Sequence, residues 1–384
     1  MQTRQMTDEM RVLQLCAKVY PSSEDILTIE NLVTKIDSSY LNLIALAHQH
    51  AVLPQTYHAF KTFFPKHPLT LLLKPHYLHI VKTNMSMVTQ LLQVTQLFTR
   101  HEIPLLHFKG AVLAKLIYAD ITLRQYGDLD ILIQKKDKQK ALTLLNSEHF
   151  HPEITLNQHT RKTFFSAVNV LGFHDPKKHV FIELHWELLS KNYAISWRED
   201  ILWGEIHPMQ LNDHTVLTLS HTNHLLYLCT HGSKHLYQRL SWVCDIDRYI
   251  QTQNNLDWEE VFNRAKELSI LRILSLSLHL TQTLLNTPLP LEVEKKISQD
   301  VLSKNLATQL SVLHFSDSTP IKKGLFSFKF LWNMRENIPD KLRFTWHALF
   351  TAKLDDFKMI QLPNYVSFLY VAVRPIRLGI KYFK

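Results

Sequence analysis

Glycine is the residue this chain nearly does without. It has seven in 384 residues, about a quarter of the usual share. Glycine supplies the positive φ of tight turns and lets backbone approach a phosphate closely. A chain so poor in it is a bad candidate for a turn-rich β architecture or a glycine-rich nucleotide loop. No G-x-G-x-x-G and no G-x-x-x-x-G-K-[ST] occurs, so the Rossmann fingerprint and the Walker loop are excluded. A helix-rich fold remains. With 46% apolar residues, the length allows one large domain or two to three smaller ones with ample core.

Net charge is +9 with histidines neutral. That favours anionic partners such as nucleotides, nucleic acid, phosphorylated sugars or a membrane face; the plainer alternative is a basic, soluble surface. Cys16, Cys229 and Cys244 form an odd, sparse set, which implies no disulfide framework and a reducing, cytoplasmic setting. The opening MQTRQMTDEMRVLQL lacks a long apolar stretch and a small-residue cleavage site, so no signal peptide is expected. No run approaches the roughly 20 apolar residues of a membrane span.

The periodicity divides the chain into three parts. Residues 1–100 read as helices, the clearest over Tyr77 to Arg100 with Ile80, Val81, Met87, Leu91, Val94 and Phe98 at helical spacing. Residues 101–212 change character: an apolar run from Ile103 to Phe108, a short helix from Ala111 to Tyr118, a strand from Asp128 to Gln134, a helix from Lys138 to Glu148, a further strand over Phe164 to Leu171, and an alternating strand from His179 to Leu188. Residues 213–384 return to helical patterning, with helices expected over His214 to Thr230, Lys234 to Gln251, Trp258 to Glu267, Ile270 to Leu285 and 295–315. The expected fold is therefore α+β and helix-rich, with a small mixed sheet between N-terminal and C-terminal helical parts.

Within the middle part, Arg124-Gln-Tyr-Gly-Asp-Leu-Asp-Ile-Leu-Ile reads as a turn at Gly127 followed by a strand. Successive side chains on a strand alternate faces, so Asp128 and Asp130 point one way and Leu129, Ile131 and Ile133 the other. The two carboxylates are roughly 6.6 Å apart along the backbone, close enough to converge on metal ions about 3.5–4 Å apart. Alone the motif is weak, since one Asp-x-Asp is expected by chance at this length. Asp245-Ile-Asp247 has the same spacing in a helical pattern, where residues two apart do not face each other. Two neighbouring pieces add weight. Lys109-Gly110 sits at a strand-to-helix turn, where a helix N-terminus offers free N–H groups to a phosphate and lysine adds a point charge. Phe181-Ile-Glu-Leu-His-Trp-Glu187 puts Glu183, His185 and Glu187 on one strand face. Glu183 is then a third carboxylate for a metal pair, or the group that takes a proton from an attacking hydroxyl. Arg124 either grips a triphosphate or balances the carboxylates.

Leu105-Leu-His-Phe-Lys-Gly-Ala-Val-Leu-Ala, Arg124-x-x-x-Asp-Leu-Asp-Ile-Leu-Ile and Ile182-Glu-Leu-His-Trp together resemble the uncharacterised nucleotidyltransferase family of the polymerase-β-like superfamily. Similar stretches recur at Cys229-Thr-His-Gly-Ser-Lys-His-Leu-Tyr, at Asp245 and at Val373-Arg-Pro375. The resemblance implies a minimal nucleotidyltransferase sheet flanked by helices, an NTP such as ATP as donor, and Mg²⁺ or Mn²⁺. It implies Asp128, Asp130 and Glu183 as catalytic metal ligands, with Lys109 and Gly110 on phosphates. Lys-Gly stands where classical superfamily members carry Gly-Ser or Gly-Gly, so the serine hydroxyl of the Gly-Ser form is missing there. The implied reaction is attack of an acceptor hydroxyl or phosphate on the α-phosphorus of the NTP. The acceptor is left open by the sequence, with a small molecule, a saccharide or a modified peptide as the first expectation. Two competing readings are an RNA or tRNA modifier of the toxin-like kind, for which no aromatic-basic motif is visible, and an inactive nucleotide-binding or interaction protein.

Among 23 histidines, His221, His224, His231 and His235 cluster in sequence. They lack an H-E-x-x-H pattern, so a satisfied or solvent-facing set is the simpler reading than zinc. His235, with Lys234 and Arg239, falls where the helical part would close over a nucleotide. The basic, aromatic tail from Tyr365 to Lys384 has two readings: a peripheral membrane contact, or packing on the catalytic part with its cations exposed, which is the simpler. Pro375 is expected to interrupt any single long helix there.

Overall fold

The computed structural model describes residues 6–176, 180–253, 256–315 and 323–383. Met1 to Gln5, the strand start expected at His179, and Lys384 lie outside them. At the centre is a five-stranded mixed sheet in the order β1-β2-β5-β4-β3. Its members are β1 (Leu105–His107), β2 (Leu129–Ile133), β3 (His151–Pro152), β4 (Val170–Asp175) and β5 (Val180–His185). β2 and β5 are parallel and the other neighbours antiparallel. β6 (Ile206–Leu211) and β7 (His214–Leu219) form a separate hairpin. With 65% of the described residues helical, this is the helix-rich α+β fold expected.

The sheet is buried on both faces. Leu129, Ile131, Ile133, Ile182 and Leu184 join an apolar cluster with Leu91, Val94 and Phe98 of the helix Pro68–Arg100 and Leu145 of the helix Lys138–Ser147. On the opposite face Leu106 and Leu132 join a larger cluster that reaches from Met10 to Met334. Polar groups at this second face are therefore held between the sheet and the helical part of the chain.

Several element boundaries depart from the expectation for identifiable reasons. The long helix starts at Pro68 and runs through Pro75; a proline inside a helix removes a hydrogen bond, so the pattern alone placed the start after it. His67 caps this helix, its Nδ1 accepting from Leu69 N at 3.2 Å. Residues Arg161–Ala167 are helical, and the strand expected over Phe164 to Leu171 begins only at Val170. The helix expected from His214 is preceded by β7 and starts at His221, with the Ser220 hydroxyl accepting from Asn223 N. The helix expected from Lys234 is broken. Leu236 and Tyr237 take φ of +56° and +51°, and the next helix is Leu240–Thr252. The break folds Tyr237 onto Gly232, where any Cβ would lie 2.4 Å from the ring, and the Tyr237 hydroxyl donates to Cys229 O at 2.9 Å.

The tail also differs from the simpler expectation. The helix Tyr370–Phe383 runs through Pro375, and Val371, whose carbonyl would receive the missing bond, is exposed. Its arginines turn inward. Arg374 is buried, donating to Ala348 O at 2.8 and 2.9 Å and pairing with Asp356 at 3.3 Å, and Arg377 also pairs with Asp356. A buried carboxylate draws both guanidinium groups away from water.

Candidate active site

β2 opens after the turn at Gly127, with Asp128 just before the strand and Asp130 its second residue. In the parallel ladder Asp130 is the direct partner of Glu183, and Leu132 of His185. Registered neighbours project to the same face, so Asp130 and Glu183 stand side by side, one strand spacing of about 4.8 Å apart at the backbone. His185, two residues on, reaches back between them. Its Nε2 is 3.2 Å from Asp130 Oδ1 and 3.3 Å from Glu183 Oε2. Ligand-capable atoms of Asp130, Glu183 and His185 lie within 4.8 Å of one another, the one such metal-capable group among the described residues. Asp128 stays outside this close set but lines the same cleft. Burial first, then the like charge of Asp130, pushes its carboxyl above the usual carboxylate range.

Lys109 ends the β1 segment and caps the helix Gly110–Tyr118. Its Nζ lies 2.6 Å from Asp130 Oδ1, with both groups largely buried. Burial works against both charges, but the pairing wins. Lys109 is held above the ordinary lysine range by Asp130, and Asp130 well below the ordinary aspartate range by Lys109 and His185. Asp130 Oδ2 is buried without a hydrogen-bond partner. A buried carboxylate oxygen with nothing to accept is uncommon, and beside a second carboxylate and an imidazole it is an open coordination position for a divalent ion. The residues present therefore fit a metal.

Gly110 takes φ +56°, the left-handed region that a side chain disfavours. A Cβ there would meet only ordinary contacts at 3.7 Å, so conformation rather than crowding calls for glycine. The helix has no side-chain N-cap, and its first amides lack intrahelical partners. Phe108, just before the turn, is pinned by a residue far away in sequence. The Nε2 of buried His224 is 2.9 Å from the Phe108 carbonyl. Burial pushes the His224 imidazole down to about 3, so it is neutral and donates.

Arg124 faces the cleft but its fork is engaged: Nε is 3.0 and 3.2 Å from the two Asp245 oxygens and Nη2 is 3.0 Å from Oδ2. The second Asp-x-Asp therefore splits, as its helical setting requires: Asp245 takes Arg124, while Asp247 accepts from Thr287 and Gln251 at 2.6 Å. Buried Asn84 fixes the same loop, donating to Ile121 O at 2.7 Å and Arg124 O at 2.8 Å.

Lys109, Gly110, Arg124, Asp128, Asp130 and Glu183 form one side of a cleft of about 730 Å³. His231, Lys234, His235, Arg239 and Trp242 line the other. His235 stacks on Trp242 at 4.9 Å and 29°, and His231 lies edge-on to the same indole at 5.8 Å. Burial, then the nearby Lys109, lowers the Lys234 ammonium from the usual lysine range. The four clustered histidines thus have separate surroundings: His224 on Phe108, His221 on the Tyr249 hydroxyl at 3.1 Å, and His231 and His235 in the cleft wall. Sequence reasoning gave His185 and His224 no role in the site, although it placed His185 on the face of Glu183 and read His224 as one of a satisfied or solvent-facing set. The same-face alternation of β5 pointed to His185; no local signal pointed to His224.

No curated protein and no solved structure matches the chain. Residues 38–286, spanning the sheet and both walls of the cleft, match the family described as uncharacterised nucleotidyltransferase. By that match the chain belongs to the uncharacterised nucleotidyltransferase family.

Proposed function

We propose that the chain transfers the NMP unit of an NTP to a hydroxyl or phosphate of a small molecule, saccharide or peptide. The observation that carries this reading is the registered pair Asp130 and Glu183, with its open carboxylate oxygen, beside the Lys109-Gly110 turn. Asp130, Glu183 and His185 would hold Mg²⁺ or Mn²⁺, with Asp128 joining from the same cleft. The ion would neutralise charge on the α-phosphate and on the departing pyrophosphate. Lys109 supplies the fixed positive charge nearest the carboxylates. The uncapped amides opening at Gly110 suit phosphate oxygens. Lys234 and Arg239 face the same space and serve the rest of the triphosphate. The His235–Trp242 stack offers a flat surface to the nucleobase. Glu183, the most exposed of the three close ligands, accepts the proton of an acceptor hydroxyl as its oxygen bonds to the α-phosphorus and the bond to pyrophosphate breaks. Arg124, held by Asp245, orients the loop before β2. We read residues 101–212 as the catalytic core between two helical regions, working in a reducing setting such as the cytoplasm, in keeping with three free, buried cysteines.

The test is label transfer from each of four α-labelled NTPs, with Mg²⁺ or Mn²⁺, to small-molecule, RNA and protein fractions of a cell extract. Asp130→Asn is expected to lower transfer at least about a hundredfold while keeping a cooperative unfolding transition. Transfer at the wild-type rate by this variant rules the mechanism out, and labelling confined to RNA moves the acceptor to nucleic acid.

A further inference from the structure

The C-terminal helices place apolar side chains in water and arginines out of it. In the helix Tyr370–Phe383 and the turn Asn364–Leu369 before it, Phe368, Ala372, Ile376 and Ile380 recur every fourth residue, on one helix face. Phe368, Ile376 and Ile380 are 50–68% exposed. The opposite face carries Arg374 and Arg377 inward to Asp356. The helix Ile338–Phe350 repeats the inversion: Ile338, Leu342 and Trp346, again four apart, are 56–70% exposed, while Asp340 and Phe344 are buried. Arg374 binds the Ala348 carbonyl, so the two helices are joined directly. Single exposed apolar residues are ordinary, but two adjacent helices with apolar stripes turned outward are a surface built to be covered.

Charge decides between coverings. Residues 323–383 hold ten lysines and arginines against four aspartates and glutamates; Arg335 and Arg374 are buried and Arg377 turns inward to Asp356, while Lys329, Arg343 and Lys358 are exposed. A second copy docked through this face would oppose two such regions, and like charges across an interface are unfavourable. An anionic bilayer satisfies both features. Apolar side chains enter the boundary between headgroups and acyl chains, aromatic residues such as Trp346 and Tyr365 suit headgroup depth, and cations are drawn to the lipid charge. Lys341 and Arg343 flank Leu342 along its helix, one on each side of the stripe. Among the described residues no helix is long and apolar enough to cross a membrane, so the contact is with the surface.

We infer that the outward stripes of these two helices form a docking surface for membranes rich in anionic phospholipid. The inference is independent of the catalytic reading, because it uses none of the cleft residues and its readout is binding alone.

The experiment is co-sedimentation of the purified full chain with phosphatidylcholine vesicles, with and without phosphatidylglycerol. Binding to the anionic vesicles is expected to be at least about tenfold tighter than to the neutral ones and to weaken with salt. Phe368→Ser with Ile376→Ser, both at exposed positions, is expected to lower binding about tenfold or more with an unchanged thermal midpoint. Failure to sediment with either vesicle, equal binding to both, or equal binding by the double variant overturns the inference. So does a dimer in sedimentation velocity that the double variant dissolves, since that assigns the stripes to a second copy.

Discussion

At the residue scale, the carboxylate pair is less informative than the histidine that joins it. Asp130, Glu183 and His185 offer two oxygens and a nitrogen, and imidazole is a better donor to manganese and later metals than to magnesium. Mn²⁺ bound to the chain is therefore expected to show a nitrogen hyperfine coupling in pulsed EPR that disappears in His185→Asn; a wild-type spectrum without nitrogen coupling would leave His185 outside the ligand set. A second prediction concerns His224 and His107, two buried imidazoles that burial pushes down to about 3. In the unfolded chain both titrate near 6.5. Between pH 6.5 and 3 the unfolded state binds more protons than the folded one, so their stabilising effect is complete above pH 6.5 and is lost progressively as pH falls toward 3. Each contributes a slope of up to about 1.4 kcal/mol per pH unit in that window. Urea unfolding between pH 7 and 5 is expected to give a shallower loss in His224→Gln, which keeps a donor for Phe108 but cannot be protonated. An unchanged slope would mean that His224 is charged in the folded chain.

At the element scale, the proposed site depends on one turn and one register. Gly110 at φ +56° opens the helix next to the carboxylates. Gly110→Ala is expected to cost about 1–2 kcal/mol in urea unfolding and to weaken NTP binding, read as a smaller thermal shift with Mg²⁺ and nucleotide. Wild-type stability in this variant would mean the turn relaxes easily. The β2–β5 register matters equally, because a slip by one residue would send Glu183 to the apolar face. Much of this was legible beforehand. Asp130 interrupts an otherwise apolar strand, and Phe181 to Glu187 alternates cleanly, so both faces could be read. What stayed hidden is explained by particular residues. His214 to Leu219 carries mixed apolar and polar residues that fit a helix as well as the β6–β7 hairpin. The Lys234 to Gln251 pattern continues across a bend that comes from Tyr237 lying on Gly232. Pro75 and Pro375 read as breakers, yet the helices run through them.

At the scale of the whole molecule, one buried ion pair joins the two sides of the cleft. Arg124 comes from the loop before β2 and Asp245 from the helix Leu240–Thr252, and their side chains are 12% and 2% exposed. Asp245→Asn leaves the guanidinium without its charge partner and is expected to cost about 3 kcal/mol in urea unfolding. Arg124→Gln combined with Asp245→Asn is expected to be less destabilised than the sum of the two single variants. Strict additivity would show that the pair is not coupled. The chain alone determined the helix-rich composition, the acidic strand face and the Lys-Gly turn, because these are periodic or local and physics at short range decides them. Only the tertiary structure decided that Lys109 meets Asp130, that His185 lies between two carboxylates, that His224 holds Phe108 and that Arg124 belongs to Asp245. Strand period says which face a side chain takes. It does not say which strand arrives beside it, in what register, or which helix from a hundred residues away packs on top, and those depend on how the whole core closes.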